Sequence, residues 1–286
     1  KDYVYWYEGV FKMVSGSTQL IVTVNMSPVE PGNDLAKSIF KPNDYCILTS
    51  ATLRTNLSFD YFLNRVGLNS FEFDDISSKV FESPFSYSDQ VTYYQYSGND
   101  GQRPDIIAKT ILHCHKKFNK RMMVLFTSRA QLDNTHQILK QISRSEHLPI
   151  FAQKRQTSRL GLIRGMGQVS NGILLGTNAF WEGVDLPGDL LEILIIIKMP
   201  FDVPTEPTVK AYGSMVESQG GNSFMDYALP ESVIRFRQGF GRLIRTQYDD
   251  GIFIVMDDRI INKRYGIAFS ETIPVQMQVF QRFNDI

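Results

Sequence analysis

Six short runs of apolar residues recur along the chain: CILT at 46–49, MMVLFT at 122–127, PIFAQ at 149–153, GILLGT at 172–177, ILIIIKM at 193–199 and GIFIVMD at 251–257. They are too short for typical helices and apolar at successive rather than alternate positions, the pattern of strands buried on both faces. Between the second and third runs, Ser128 stands where a helix N-cap belongs, and Leu132, Ile138, Leu139 and Ile142 follow at roughly helical spacing. That unit reads as a βαβ crossover, and the alternation as a whole predicts an α/β fold with a parallel sheet. A further short strand is expected at Val91–Tyr96, inside an irregular connection from Phe71 to Gly101.

The first 40 residues read differently. YVYWY at 3–7 and LIVTV at 20–24 are β-rich runs separated by Gly16, as in a hairpin or a pair of edge strands, and Pro28, Pro31, Gly32 and Asn33 then make a loop. The expected organisation is a β-hairpin and linker extension over 1–40 and one α/β domain over 41–286.

Composition narrows the function classes. At 286 residues and 43% hydrophobic the chain can bury a large core. Lys+Arg and Asp+Glu are equal at 30 each, so contact with nucleic acid must come from a local groove rather than a basic field. Cys46 and Cys114 are too few for a four-cysteine cluster and suit a reducing cytoplasm. The most apolar stretch, Leu190 to Phe201, is far shorter than a membrane span and is broken by Glu192 and Lys198. His113 and His115 flank Cys114, but positions two apart on a helix diverge, so no metal site is expected there. The chain opens on Lys1 with no secretory pattern after it, which suggests a piece of a longer polypeptide.

Four segments carry polar groups where function could sit. In LPESVIRFRQGFGRLIRT, from Leu229 to Thr246, the spacing of Arg235, Gln238, Arg242 and Arg245 stacks four polar side chains on one helical face. Val233, Phe236, Phe240 and Ile244 fall on the opposite face, and the spacing predicts an amphipathic helix with Pro230 in its first turn. Gly239 and Gly241 interrupt it at a cost of about 1 kcal/mol each, which suits a close approach by other backbone or a ligand. The stripe alone would equally suit a solvated face. Beyond GILLGT, Thr177 and Asn178 stand at a strand tip and Glu182, Gly183 and Asp185 follow, either a phosphate-holding loop or an ordinary turn with Trp181 packed on the core. Beyond MMVLF come Thr127, Ser128 and Arg129, suited to a backbone phosphate or to plain helix capping. Beyond CILT come Ser50, Ala51, Thr52 and Leu53, which either bridge to a neighbouring domain or cap a helix starting near Arg54.

Taken in order, TSATL at 49–53, LFTS at 125–128, LLGTNAFWEGVDLPG at 174–188 and QGFGRLIR at 238–245 resemble motifs III to VI of superfamily 2 helicases. FWEGVD followed by LPG, the early YWYE, and DDRIINKRYG at 257–266 resemble the DinG-like members, bacterial relatives of the XPD helicases. This resemblance spans nearly the whole chain and implies a RecA-like second motor domain, with helices on both faces of its sheet. It implies that Arg242 and Arg245 act as arginine fingers on ATP and that Gln238 lies near the nucleotide phosphates. It also implies that Glu182, Gly183 and Asp185 touch ribose or orient the fingers, that Ser128, Thr177 and Asn178 contact single-stranded DNA, and that Ser50 and Thr52 couple nucleotide state to the first domain. Arg235 has no assigned role. The sequence contains no GxxxxGK[ST] phosphate loop and no metal-binding Asp-Glu box at a strand end, so ATP and Mg are expected to be bound mainly by a first motor domain elsewhere in the polypeptide. No iron-sulfur cluster and no other metal site is expected in this chain. The implied partners are single-stranded DNA, that first motor domain and, in some Gram-positive relatives, an amino-terminal exonuclease domain, in a bacterial cytoplasm and with no membrane.

Overall fold

The apolar runs become a parallel sheet, with one exception. The computed structural model describes residues 3–14, 16–55, 57–72, 75–154, 157–177, 180 and 190–286. Its strands in chain order are β1 (Tyr3–Val14), β2 (Ser17–Pro28), β3 (Val91–Tyr96), β4 (Met122–Leu125), β5 (Ile150–Ala152), β6 (Ile173–Gly176), β7 (Ile193–Ile196), β8 (Gly251–Val255) and β9 (Met277–Phe280). The chain divides into two compact units, residues 1–80 with 201–232 and residues 81–200 with 233–286. The expected boundary at residue 40 falls inside the first of these.

The second unit holds a seven-stranded sheet in the order β5-β6-β4-β7-β8-β3-β9, with every pair parallel. β4, β6 and β7 are buried at every position, as successive apolar residues require of strands covered on both faces. On one face Met122, Val124, Ile173, Leu175, Ile193 and Ile195 pack with Ile107, Ile111 and Cys114 of the Pro104–Phe118 helix and Leu132 and Leu139 of the Arg129–Glu146 helix. On the other, Phe236 and Phe240 of the Leu229–Phe240 helix stand with ring centroids 5.6 and 5.2 Å from Phe253, and Phe269 stands 5.3 Å from Phe236. Each fully buried phenylalanine contributes roughly 1.5–3 kcal/mol, so this layer is firmly held. β9 gave no signal in the sequence because it is an edge strand with two exposed positions.

The first unit contains the expected hairpin. β1 and β2 pair antiparallel from Tyr3↔Pro28 to Val14↔Ser17, with Tyr7, Phe11, Met13 and Val24 exposed. Gly67 takes φ +78° and lies against Gly32, where a Cβ would meet the Gly32 carbonyl oxygen at 2.1 Å, so this crossing admits only glycine. Tyr61 donates to Glu231 at 2.6 Å, and the Arg65 guanidinium lies 4.2 Å from the Tyr212 ring centre. Burial and then the Glu231 carboxylate push the Tyr61 phenol far above its usual range.

The exception is CILT. Cys46–Thr49 forms no strand and Ile47 is 92% exposed. An apolar run becomes a strand only beside another strand that takes up its backbone N–H and C=O groups, and no described strand does so here. The helix expected near Arg54 is also absent. Thr55 instead bridges to Ser58, whose hydroxyl accepts from the Asp60 N–H at 3.0 Å, and helix runs from Asp60 to Arg65.

Candidate functional site

The arginine stripe is helical for only half its length. Helix runs from Leu229 to Phe240, so Arg235 and Gln238 are helical while Arg242 and Arg245 lie beyond its end. Val233, Phe236, Phe240 and Ile244 are all buried, as the spacing predicts. The helix stops because its hydrogen bonds tighten and are then replaced. Gly241 N–H reaches the Arg237 carbonyl at 2.9 Å, Arg242 and Leu243 reach back only three residues, and from Arg245 onward a side chain takes over. That side chain is Asp249. Its carboxylate accepts from the Arg245 N–H at 2.8 Å, the Thr246 N–H at 2.8 Å and the Thr246 hydroxyl at 2.7 Å. Gln90 closes the loop from outside, donating to the carbonyls of Thr246 at 3.1 Å and Asp249 at 2.8 Å. Gly241 is not crowded, since an added Cβ would meet nothing nearer than 3.4 Å; the close approach occurs at Gly251, where Leu243 would stand 2.4 Å from it. Arg242 is 8% exposed, an unusual depth for a guanidinium.

A second set of groups lines the carboxyl ends of the strands. Ser128 follows β4 and caps the Arg129–Glu146 helix, its hydroxyl accepting from the Gln131 N–H at 3.4 Å. Arg129 is engaged with Asp133 at 3.1 Å. Thr177 follows β6, where both its N–H and its hydroxyl donate to Gln153 Oε1, at 2.8 and 3.0 Å. Gln153 follows β5, and in the sequence it marks only the end of a strand, with no spacing that identifies it as Thr177's partner.

A wholly buried carboxyl group, that of Asp257, also stands at this rim. It is wholly buried past the end of β8, where Oδ2 accepts from the Met199 N–H at 2.9 Å and Arg259 Nη2 at 2.5 Å, and Oδ1 accepts from Arg259 Nε at 2.8 Å and the Arg259 N–H at 3.2 Å. Gln95, also buried, donates to the Asp257 carbonyl at 2.9 Å. The hydrogen bonds and charge of Asp257 raise the Arg259 pKa further. DDRIINKRYG carried this in the sequence only as a resemblance.

The sheet thus brings Ser128 and Thr177 to one rim. It places the Arg242–Asp249 stretch at the amino ends of β8 and β3, where Leu243 packs over Gly251 and Gln90 precedes Val91. Gln238 is half-buried, one turn before Arg242. Ser50 and Thr52 belong to the other unit, their hydroxyls 3.3 Å apart and the Thr52 N–H donating to Ser50 at 3.2 Å. Asn178, Glu182, Gly183 and Asp185 lie outside the described residues. Among the described residues there is no cluster of three or more His, Cys, Asp or Glu able to hold a metal, and no helix is long and apolar enough to cross a membrane.

A seven-stranded parallel sheet covered by helices on both faces is an α/β fold of the RecA-like kind. The helicase C-terminal domain family matches residues 111–276, and the chain belongs to that family. Within it the chain is DinG-like. It is 36% identical over 261 residues to the 3'-5' exonuclease DinG of Bacillus subtilis (strain 168), which is 88% of this chain and 28% of that protein. To the ATP-dependent DNA helicase DinG of Photobacterium profundum it is 33% identical over 265 residues, 90% of this chain and 38% of that protein. To the ATP-dependent DNA helicase YoaA of Haemophilus influenzae it is 31% identical over 276 residues, 95% and 40% of the two. A solved XPD helicase shares the RecA-like fold with a TM-score of 0.61 at 16% identity, over 90% of this chain and 46% of that one. The chain therefore spans less than half the length of these relatives.

Proposed function

We propose that the chain is the second motor domain of an ATP-dependent DNA helicase, with the RecA-like part over residues 41–286 and the hairpin extension over 1–40. In this reading Arg242 and Arg245 supply positive charge to the γ-phosphate of ATP held by a first domain, and Gln238 contacts the phosphates. The observation that supports it is the place of Arg242 and Arg245, in QGFGRLIR just past the end of the Leu229–Phe240 helix, where the chain carries two guanidinium groups on one short turn. The planar, permanently charged guanidinium fits phosphate oxygens bidentately, which lysine cannot do. ATP bound there would supply the phosphoanhydride whose hydrolysis drives the motor. Because the sequence carries no GxxxxGK[ST] phosphate loop and no metal-binding Asp-Glu box at a strand end, Mg would be held mainly by the first domain in this reading. Glu182, Gly183 and Asp185 would touch ribose or orient the fingers, and Ser50 and Thr52 would couple the two domains. Ser128, Thr177 and Asn178 would hold the backbone of single-stranded DNA. Thr177 already donates to Gln153, so its contribution there is to fix the strand tip rather than to offer its own proton.

In the full-length protein, Arg242→Ala should reduce DNA-stimulated ATP turnover by about 10³-fold or more, with Arg242→Lys little better. Turnover within a few fold of wild type in Arg242→Ala would sink the finger assignment. The relatives named as exonucleases support a second reading, in which the domain is a nucleotide-responsive, DNA-holding module beside a nuclease, with weak or no unwinding. Strand separation by the full-length protein that depends on ATP hydrolysis would decide for the first.

A further inference from the structure

We infer that Asp249 is a positioning residue for Arg245, and that Gln90 braces the loop on which it acts. The inference rests on the arginine-finger reading and extends it to residues outside the helicase motifs. Three observations carry it. First, the helix that leads to the fingers ends at Phe240, so its ladder does not fix the backbone of Arg245. Second, the Asp249 carboxylate replaces that ladder: with one oxygen it accepts from two successive amides, Arg245 and Thr246, and with the other from the Thr246 hydroxyl. Two amides converging on one carboxylate oxygen at 2.8 Å set the direction in which the Arg245 side chain leaves the backbone. Third, the loop is tied to the sheet, because Gln90 donates one amide nitrogen to the carbonyls of both Thr246 and Asp249 immediately before β3 begins.

The chemistry of the carboxylate agrees. Partial burial pushes the Asp249 carboxyl up, but the Thr246 hydroxyl and the two amides pull it further down, so it lies below the ordinary 3.8 and is ionised whenever the protein works. A finger is worth what its geometry allows, and displacement of about 1 Å can cost ~10²-fold in rate. A carboxylate that fixes one peptide plane at each side of Arg245 restrains that displacement without touching ATP.

The test is a double-mutant cycle on DNA-stimulated ATP hydrolysis by the full-length protein, with kcat and KM for ATP measured separately. Arg245→Ala should lower kcat by about 10²-fold or more. Asp249→Ala should lower kcat by about 10-fold or more and leave KM for ATP within about threefold, and in the Arg245→Ala background it should cost almost nothing further. Asp249→Asn, which keeps one acceptor oxygen, should fall between wild type and Asp249→Ala. If Asp249→Ala loses its cooperative thermal transition, Gln90→Leu is carried through the same cycle and should show the same loss of effect beside Arg245→Ala. Equal losses in both backgrounds, or wild-type kcat in Asp249→Ala, would overturn the positioning role while leaving the fingers standing. Wild-type kcat in Arg245→Ala would instead remove Arg245 as a finger and the inference with it.

Discussion

Asp257 is wholly buried, and four donors converge on its carboxyl group, three of them from Arg259. A buried pair of this kind adds little over a well-packed apolar pair, but removing one partner strands the other. Arg259→Met would leave a fully buried carboxylate with the Met199 N–H and its own backbone contact alone, whereas Asp257→Asn would leave a guanidinium with 26% of its side chain exposed to water. Arg259→Met should therefore be the more damaging, by about 3 kcal/mol or more, read as a lower urea midpoint at unchanged slope. A smaller loss than in Asp257→Asn would mean that the charge is not what the rim requires. Asp249 differs, since it is part-exposed and its folded pKa lies below the unfolded one. Its stabilisation is present in full above the ordinary carboxylate value of 3.8 and is lost as pH falls through the folded value. The Tm difference between wild type and Asp249→Asn should be constant near neutrality and shrink only below about pH 3.8.

At the scale of elements, periodicity was a sound guide wherever an element is stabilised by its own neighbours in the sheet. MMVL, GILL, ILII and GIFIV are strands because each lies between two others, and Ser128 caps the helix its position promised. CILT has the same composition, yet strand formation depends on a partner as well as on side chains, and none is present for it among the described residues. The arginine segment failed in another way. Four polar and four apolar residues keep helical spacing to Arg245, but Asp249 lies after the periodic stretch, and no periodicity rule weighs a carboxylate that competes for the last amides. Burial of Ile244 survives the end of the helix, so the apolar half of the pattern was legible where the helix was not. The turn is sealed at Gly251, where a Cβ would stand 2.4 Å from Leu243 Cγ and 2.7 Å from both its methyls, and Leu243 is 1% exposed with nowhere to retreat. Gly251→Ala should cost about 1–3 kcal/mol by overpacking and displace the turn carrying the arginines. A variant as stable as wild type would show that Leu243 can shift, and the seal would then not hold the turn.

At the scale of the whole molecule, the charge count and the missing phosphate loop point the same way. Equal numbers of acidic and basic residues give no field to gather polyphosphate, and no GxxxxGK[ST] segment cradles it, so on the proposed reading any affinity of the chain for ATP rests on Arg242, Arg245 and Gln238 alone. Such groups serve a phosphate already held in place; on their own they bind a mobile, hydrated nucleotide poorly, because they must supply the ordering as well as the charge. Ligand binding raises stability by RT ln(1 + [L]/Kd), which is about 0.4 kcal/mol when the ligand stands at its Kd and about 2.7 kcal/mol at a hundred times that. The chain by itself should therefore show no ATP turnover, and millimolar Mg-ATP should move its Tm by no more than about a degree or two, given that 1 kcal/mol is worth roughly 2–4 °C in a protein of this size. The full-length protein should show a clear nucleotide-dependent rise. A rise of many degrees in the isolated chain, abolished by Arg242→Ala, would mean that these residues form a complete nucleotide site by themselves and would overturn the division of the active site between two domains.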